Sequence, residues 1–358
     1  MEVLHKSVLD NFRLDAEPTS CERYGCGHIN ETYLVVTATG HRYILQKINN
    51  HIFKDVPALM QNIASVTEYL RKSQSDPRRV LTLVYTTEGN AFLHHADDTY
   101  WRVYEFVEDS LCLQAPENAM DFYQSAVAFG TFQQQLKDFP AATLHETIAN
   151  FHNTPDRYRI FHEVLEADVM GRAAEVRDEI AFVLAREKEA GTLVAMQKAG
   201  QLPLRVTHND TKLNNVMLDA AERTPLCVID LDTVMPGLSS YDFGDSIRFG
   251  AATAAEDEKD LSKVTMSLEL FRTFTRGFLK ACPGLTEQEK KMLPMGAKTM
   301  TLECGLRFLT DYLDGDHYFA VHREGHNLDR CRTQFKLVAD MESKWEEMAR
   351  IVEEEQAN

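Results

Sequence analysis

At 358 residues with a formal net charge of −17, the chain is too acidic to favour a nucleic-acid partner, because phosphate backbones bind basic surfaces. No apolar run approaches the roughly 18 residues that a membrane span needs, so we expect a soluble protein with no membrane partner. The seven cysteines are an odd number without a C-x-x-C pair, which favours reduced thiols in the cytoplasm over a disulfide framework or a zinc site.

The first part of the chain predicts a small domain rich in β-strands, with one amphipathic helix at 57–72. The last of its strands leads into the polar residues that begin at Glu108, and we place the end of the domain at residue 107. The predicted strand segments are 32–36, 42–48, 81–86, 91–94 and 100–107.

Two glycines, Gly25 and Gly27, lie in the turn before the first of these strands. Glycine lets the backbone approach an anion closely, and successive N–H groups can then surround it. The turn is therefore a candidate phosphate site, although a plain hairpin turn explains the two glycines equally well.

The strand at 42–48 carries two polar residues that could meet a ligand, Gln46 and Lys47. Side chains alternate between the two faces of a strand, so only one of this pair can point to a given face. The sequence leaves open which of them does so. Glu68, on the helix that follows, is either an ion-pair partner for the lysine or a solvated helix charge.

From residue 108 to the end the patterns are mostly helical, so we expect an α+β fold with domains at 1–107 and 108–358. The last helical segment repeats its apolar residues over only about three heptads. We therefore expect it to pack on its own chain, and the protein to be a monomer. The helical segments are 122–137, 157–190 with a break near 171, 298–313 and 328–352.

The stretch 205–218 predicts a strand, a polar loop and a second strand. Asp210 follows His208 by two residues, and Asn215 comes after four more intervening residues, which is the spacing of a phosphoryl-transfer catalytic loop. In such a loop the carboxylate accepts the proton of the attacking hydroxyl, while the amide oxygen ligates magnesium. We predict Asp210 as this base. A polar hairpin that contains one acid and one amide by chance is the alternative.

Two further residues complete the predicted phosphoryl-transfer group. Asp230 closes the next apolar run, where a second magnesium carboxylate belongs, so we predict Asn215 and Asp230 as the metal ligands. Lys212 is placed to contact the transferring phosphoryl group, unless it is a surface lysine. His208 is expected to support the loop by hydrogen bonds, because Asp210 already serves as the base.

A literal D-F-G tripeptide occurs at Asp242, but we do not assign the metal to it. Asp230 ends a β-run, whereas Asp242 follows a Pro-Gly turn and precedes a helix-like stretch at 246–252. We expect Asp242 to be a helix N-cap or a hydrogen-bonding brace for the catalytic loop. Asp232 is either a second metal carboxylate or a solvent-facing neighbour.

Four elements together resemble the aminoglycoside phosphotransferase and choline kinase branch of the protein-kinase-like fold. The resemblance implies a bilobal fold, with a small antiparallel β lobe and a larger, mainly helical lobe, and it implies ATP and Mg²⁺ as cofactors. The four elements are Gly25-x-Gly27-His28-Ile-Asn30, His208 to Asn215, Ile229 to Asp232, and Asp242-Phe-Gly-Asp245.

The resemblance also implies which residues bind the nucleotide. The glycine turn would lie over the phosphates, and a hinge at the end of the last strand would read the adenine edge. In kinases of this fold a lysine of the small lobe contacts the phosphates. Because the sequence does not decide between Gln46 and Lys47, that contact stays in doubt. The nucleotide-binding candidates are Gly25, Gly27, His28, Asn30, Gln46, Lys47, Glu105 and Val107.

Within that branch the chain is similar to N-acetylhexosamine 1-kinases along nearly its whole length, including Glu303-Cys-Gly-Leu-Arg-Phe308. This similarity implies phosphorylation of the anomeric C1 hydroxyl of GlcNAc or GalNAc. A neutral polyhydroxylated ring needs several directed donors and acceptors and one apolar face. Arg307 is favoured, because a fixed guanidinium fork can grip vicinal hydroxyls. The sugar-binding candidates are Asp210, Asp245, Arg248, Arg307 and Tyr318, with a structural Arg–Asp ion pair as the alternative for those other than Arg307.

Two other functions remain open from the sequence. A kinase of the same fold that acts on homoserine, choline or another amine would share every motif of the branch. A nucleotide-binding pseudokinase with a scaffolding role is the second, and the intact set of Asp210, Asn215 and Asp230 argues against it.

Overall fold

A computed structural model describes residues 3–25 and 29–357 of the chain. The described strands, in chain order, are β1 (Pro18–Arg23), β2 (Glu31–Thr37), β3 (Arg42–Ile48), β4 (Leu83–Val84), β5 (Leu93–His94), β6 (Tyr100–Glu105), β7 (Ser110–Cys112), β8 (Arg205–Thr207), β9 (Val216–Asp219), β10 (Pro225–Val228) and β11 (Met235–Gly237). The described helices are α1 (Val3–Leu9), α2 (Val56–Arg71), α3 (Ala119–Gln135), α4 (Thr154–Ala167), α5 (Arg177–Leu184), α6 (Glu187–Ala190), α7 (Thr192–Lys198), α8 (Ser239–Gly250), α9 (Leu268–Ala281), α10 (Glu287–Lys291), α11 (Leu293–Asp314), α12 (His326–Ser343) and α13 (Trp345–Gln356).

The chain packs as two compact units, each built from three segments. The domain boundary predicted after residue 107 stays a prediction. The first unit is not limited to the N-terminal residues, because two later segments of the chain pack with them. The first unit comprises Met1–Cys112, Asp138–Ala149 and Val216–Met235, and the second comprises Leu113–Lys137, Asn150–Asn215 and Pro236–Asn358.

The first unit is built on an antiparallel sheet with the order β1-β2-β3-β6-β4, to which β5 adds by pairing with β6. One face of this sheet packs against α1, where Val35, Leu45 and Val103 are fully buried beside Val8 and Leu9. Alternation places Gln46 on the opposite face, directly across from Arg102 of β6 in the β3–β6 register.

Helix α2 begins where the sequence predicts a helix. The Asp55 side chain caps it by accepting a hydrogen bond from the Ala58 N–H at 3.0 Å. Its apolar residues at a spacing of three and four, from Leu59 to Leu70, are buried. A second antiparallel sheet of the first unit has the order β10-β9-β7, and Val216 at the start of β9 pairs with Val228 at the end of β10.

The second unit is mainly helical. The tripeptide at 242–244 lies inside α8, where Phe243 is buried against the rings of Phe271, Phe274 and Phe278. Gly244 lets α8 approach α11, since an added Cβ would lie 2.3 Å from the carbonyl oxygen of Gly296. The glycine of the D-F-G sequence is therefore a helix-packing residue.

Several helix boundaries differ from the sequence prediction, including those of α8, α11 and α12. Helix α8 starts at Ser239, seven residues before the predicted start at 246, and every residue from 239 to 248 is buried. The segment predicted as one helix at 328–352 is two helices, α12 and α13, separated at Lys344. The apolar spacing continues across the single non-helical residue, so periodicity could not reveal the break. Among the described residues, none of the helices is both long and apolar enough to cross a membrane.

Replacing Gly244 by alanine should destabilise the protein by at least about 2 kcal/mol, because the methyl group collides with helix backbone and overpacking of this kind is costly. Urea denaturation would measure the loss. Gly191→Ala is the matched control, since the nearest atom to its added Cβ lies at 3.6 Å. Equal stability of the two variants would show that α8 and α11 do not depend on this close approach.

Candidate active site

The loop predicted to be catalytic follows β8 and is braced by Asp242. The Asp242 carboxylate accepts hydrogen bonds from the backbone N–H groups of His208 at 2.9 Å and Asn209 at 2.8 Å, and from the Gln133 side chain at 2.7 Å. Burial raises the pKa of Asp242 above its usual value in spite of these donors. The predicted brace is confirmed, and the alternative of an N-cap is wrong, because Leu238 occupies that position.

His208 supports the loop, as predicted. Its Nδ1 accepts a hydrogen bond from the backbone N–H of Asp210 at 3.3 Å. The buried ring packs edge-on against Phe129 and Phe132, with centroid distances of 5.4 and 6.1 Å. This environment fixes the backbone at Asp210, which is what a positioned catalytic carboxylate requires.

Asp210, Lys212 and Asn215 lie together in the second unit. The Lys212 ammonium lies 2.7 Å from Asp210 Oδ1, while Asn215 Nδ2 donates to Asp210 Oδ2 at 3.0 Å and to its backbone oxygen at 2.8 Å. Burial lowers the pKa of Lys212, but the charge and hydrogen bond of Asp210 outweigh it, so the pKa is raised. The lysine is therefore an ammonium held on the predicted base.

Asp245 and Arg248, both predicted to bind the sugar, form an ion pair on α8. Arg248 donates to Asp245 Oδ1 from Nε at 3.0 Å and Nη2 at 2.9 Å, and Thr211 N–H donates to Asp245 Oδ2 at 3.0 Å. Burial raises the pKa of Asp245, but Arg248 and Lys212 more than compensate and lower it. The structural ion pair foreseen as the alternative is thus present, and sugar binding by these residues stays a prediction.

Arg307 and Tyr318 are also brought together. The Arg307 guanidinium donates to the Tyr318 hydroxyl at 3.2 Å and lies over three aromatic rings, those of Tyr318, Phe151 and Phe319, at 5.3 to 5.5 Å. Among the residues that the structure describes, no carboxylate forms an ion pair with Arg307. Its planar fork is therefore held by stacking rather than by an acid.

The sequence analysis missed a buried pair beside Arg307. His152 Nδ1 lies 2.8 Å from Glu303 Oε1, and Thr154 donates to Glu303 Oε2 at 2.6 Å. Glu303 precedes Arg307 by one turn of α11, which is the only sequence signal for its position. Nothing in the sequence indicates that His152 pairs with Glu303, because 151 residues separate the two.

In the first unit, Asn30 and Asp232 belong to a buried network. Asn30 Nδ2 donates to Asp232 Oδ2 at 2.5 Å, and Asn30 Oδ1 accepts from the Asn49 N–H at 3.0 Å. The Asp232 carboxylate also pairs with Arg102 at 2.5 Å. Because Asp232 is only 3% exposed, the expectation of a solvent-facing neighbour is wrong.

Arg102 is the buried cation on the face of the sheet that carries Gln46. Its Nε donates to Gln46 Oε1 at 2.9 Å, and Gln46 Nε2 donates to Thr32 at 3.0 Å. Burial lowers the pKa of Arg102, yet Asp232, Tyr104 and Asp230 outweigh it and raise the pKa. The arginine therefore stays charged in the interior.

Lys47 lies on the other face of the sheet, where its ammonium is 3.3 Å from Glu31. Glu68, the other partner considered for it, accepts a hydrogen bond from the Tyr85 hydroxyl at 2.8 Å. The two candidates at 46 and 47 thus face opposite sides, as alternation predicts, and whether either contacts a nucleotide stays a prediction.

The remaining predicted nucleotide residues are placed as follows. Gly25 has the left-handed φ of +77° that favours glycine, while Gly27 and His28 lie outside the described residues. Glu105 Oε2 accepts a hydrogen bond from His41 Nε2 at 2.6 Å. The Val107 carbonyl accepts a hydrogen bond from the Ser110 hydroxyl at 2.6 Å. Adenine recognition by the last two stays a prediction.

The oxygens of asparagine and aspartate side chains are ligands that magnesium accepts, and a magnesium ion bound together with phosphates needs few protein ligands. Asn215 turns its amide nitrogen to Asp210, so its oxygen faces away from that residue. Asp230 follows β10 with the uncommon φ of +57°, and its carboxylate influences Arg102. Among the described residues, no cluster of three or more His, Cys, Asp or Glu side chains could hold a metal without further ligands.

The antiparallel sheet of the first unit and the helical second unit define an α+β protein of the protein-kinase-like fold, as predicted. Solved structures share this fold. A microcompartment-associated aminopropanol kinase matches with a TM-score of 0.68 at 17% identity, over 97% of this chain and 98% of its own. An aminoglycoside phosphotransferase from Alicyclobacillus acidocaldarius matches with 0.63 at 13% identity, over 99% and 98%. An amicoumacin kinase in complex with AMP-PNP and Ca²⁺ matches with 0.60 at 15% identity, over 95% and 92%.

The family is shown by the sequence itself. Residues 20–263, more than half of the chain, match the model of the phosphotransferase enzyme family. The chain belongs to this family, and it is a small-molecule phosphotransferase.

Proposed function

We propose that the protein transfers the γ-phosphoryl group of ATP to the anomeric C1 hydroxyl of an N-acetylhexosamine, GlcNAc or GalNAc, with Mg²⁺ as the metal. The choice of acceptor rests on the surroundings of the Arg307 side chain. Its guanidinium lies among three aromatic rings, and no described carboxylate forms an ion pair with it. Such a fork can grip vicinal hydroxyls, while an aromatic ring can cover the apolar face of a sugar.

The charges around Arg307 also argue against an ammonium acceptor such as choline. Burial lowers the pKa of Arg157, and the like charge of Arg307 lowers it further. Glu303 is the carboxylate that offsets the two guanidinium groups, and it is already hydrogen-bonded to His152 and Thr154. A cation placed here would meet positive charge, whereas a neutral sugar would not.

In the proposed mechanism Asp210 orients the C1 hydroxyl and accepts its proton. Two donors, Lys212 and Asn215, hold its carboxylate in one orientation, and positioning of this kind can lower the barrier by several kcal/mol. Lys212 contacts the transferring phosphoryl group with its ammonium. The weakly basic carboxylate then takes the proton late, as the bond to phosphorus forms.

Asn215 and Asp230 are proposed as the magnesium ligands. A magnesium ion bound there would neutralise the charge that accumulates between the β- and γ-phosphates. The register of the β9–β10 hairpin supports this pairing. Val216 follows Asn215 directly and pairs with Val228, which precedes Asp230 by two residues. The start of one antiparallel strand and the end of its partner lie at the same end of a hairpin.

A coupled ADP-release assay over GlcNAc, GalNAc, glucose, homoserine and choline tests the proposal. We expect turnover with the two N-acetylhexosamines and none with choline. The methyl glycoside of GlcNAc, in which the C1 hydroxyl is blocked, is the matched control and should be inert. Turnover with choline or homoserine and none with either hexosamine would refute the sugar assignment.

Arg307→Ala should raise the Michaelis constant for GlcNAc by roughly 10- to 100-fold, because a charge-assisted hydrogen bond to the acceptor contributes about 1.5–3 kcal/mol. Steady-state kinetics with ATP and GlcNAc varied separately would measure it. Arg159→Ala is the control, since that arginine is exposed and paired with Asp156 and Glu163 at the surface. An unchanged constant for GlcNAc in Arg307→Ala would move the acceptor site elsewhere.

A further inference from the structure

Three buried polar atoms without a hydrogen-bond partner in the described part of the chain lie within one short stretch. They are Nε2 of His152, Oδ1 of Asn153 and Nε of Arg157. A buried donor or acceptor that stays unpaired is costly, so such groups are rare unless a ligand or water satisfies them. Three such atoms within six residues are unusual, and a ligand or a water molecule is the usual partner of a buried polar atom of this kind.

His152 is the member of this group whose orientation is fixed. Its Nδ1 lies 2.8 Å from Glu303 Oε1, and Glu303, 2% exposed, is held in turn by Thr154. An ionised carboxylate only accepts, so Nδ1 carries the proton and Nε2 is turned away from Glu303. The neutral ring then accepts a hydrogen bond at Nε2, and the charged ring donates one.

The ring of His152 packs against two aromatic residues that adjoin the proposed acceptor residues Arg307 and Asp245. It contacts Phe151 and Tyr241, with centroid distances of 4.5 and 5.3 Å. Phe151 is one of the rings under Arg307, and Tyr241 precedes Asp245 by one turn of α8. The His152 charge is also among those that hold the pKa of Asp245 low, after the larger effects of burial, Arg248 and Lys212.

We propose that His152 is a specificity-determining residue for the acceptor, and that its Nε2 hydrogen-bonds a sugar hydroxyl other than the one phosphorylated. The inference rests on the proposed function. A hydroxyl group both donates and accepts, so it satisfies His152 in either protonation state, whereas an ammonium group satisfies only the neutral ring. A site with a buried polar atom discriminates strongly against substrates that leave the atom unpaired.

The test uses His152→Asn in the full chain. Asparagine keeps a donor near the position of Nδ1 for Glu303 and removes Nε2. We expect the Michaelis constant for GlcNAc to rise by about 10- to 100-fold, with kcat and the Michaelis constant for ATP within about twofold of wild type. His162→Asn is the matched control, because His162 pairs with Glu187 at 3.0 Å at the exposed surface of α4.

Deoxy sugars separate contact with the acceptor from a merely structural role. With wild type, the Michaelis constants of the 3-, 4- and 6-deoxy forms of GlcNAc are compared with that of GlcNAc. One of these sugars should show a rise as large as the rise that His152→Asn causes with GlcNAc. In His152→Asn, removal of that one hydroxyl should raise the Michaelis constant no further. With the other two deoxy sugars, the free-energy effects of the substitution and of the missing hydroxyl should add. Equal losses with all three sugars, or an unchanged constant for GlcNAc, would overturn the inference.

Two controls keep the outcome interpretable. If His152→Asn unfolds at a lower temperature than wild type, His152→Gln is measured, since its amide reaches the position of Nε2; it should recover part of the affinity for GlcNAc, and recovery of none would overturn the inference. If wild type phosphorylates neither hexosamine, the proposed function fails. If wild type does so and His152→Asn matches it, only the assignment of His152 fails.

Discussion

Asp210→Asn should lower kcat with GlcNAc by at least about a hundredfold, because general-base catalysis and orientation of the attacking hydroxyl contribute about 10²- to 10⁴-fold. Asparagine fills the same volume and can still meet Asn215, but it cannot take a proton and does not neutralise Lys212. The Michaelis constant for ATP should stay close to that of wild type.

Single-turnover measurements with ATP and GlcNAc would separate the chemical step of Asp210→Asn from product release. Asp156→Asn is the control, because Asp156 pairs with Arg159 near the surface of α4. Asp210→Asn with wild-type turnover would rule out the base assigned here. A large rise in the Michaelis constant for ATP, without a change in kcat, would instead place Asp210 among the nucleotide contacts.

The largest effect on stability is expected from Asp232→Ala. Arg102 is 1% exposed and its charge is balanced by Asp232 at 2.5 Å. Removing one partner of a buried ion pair leaves an uncompensated charge and costs about 3–5 kcal/mol. Asn30 would lose a hydrogen-bond acceptor in the same change. Urea denaturation should therefore show a large fall in the free energy of unfolding.

The double variant Arg102→Met, Asp232→Ala tests the cause of that loss. It removes the buried charge along with its partner, so most of the lost stability should return. Asp10→Ala, which removes the exposed partner of Lys6, should leave the unfolding midpoint unchanged. If Asp232→Ala were as stable as wild type, the network would not hold the first unit together.

The close grouping of side chains in the loop after β8 could be predicted from the sequence because these residues are near one another along the chain. Asp210, Lys212 and Asn215 contact one another within six residues, so the spacing of residue types already encodes the geometry. The role of Asp242 as a brace followed from similar reasoning. The metal carboxylate was expected at the end of a strand, where Asp230 lies and Asp242 does not. Local chemistry and strand periodicity were sufficient in both cases.

The contacts that the sequence could not predict join distant parts of the chain. Arg102 and Asp232 are 130 residues apart, and His152 and Glu303 are 151 residues apart. The β3–β6 register sets Gln46 across from Arg102, whereas Asp232 comes from a turn after β10 that belongs to neither strand. Periodicity predicts that Gln46 and Lys47 point to opposite faces, but only the packing of α1 decides which face is covered. The sequence alone therefore left open which of the two residues could face a ligand, and the buried Arg102 beside Gln46 is visible only in the structure.

The proposed function depends most directly on where the phosphate is attached. We predict that phosphorus–proton NMR of the product from ATP, Mg²⁺ and GlcNAc shows the new phosphate coupled to the anomeric proton of the sugar. The same spectrum should be absent with Asp210→Asn at equal enzyme concentration. A phosphate coupled to the C6 protons, or no phosphorylated sugar alongside rapid phosphorylation of an amino alcohol, would contradict the account.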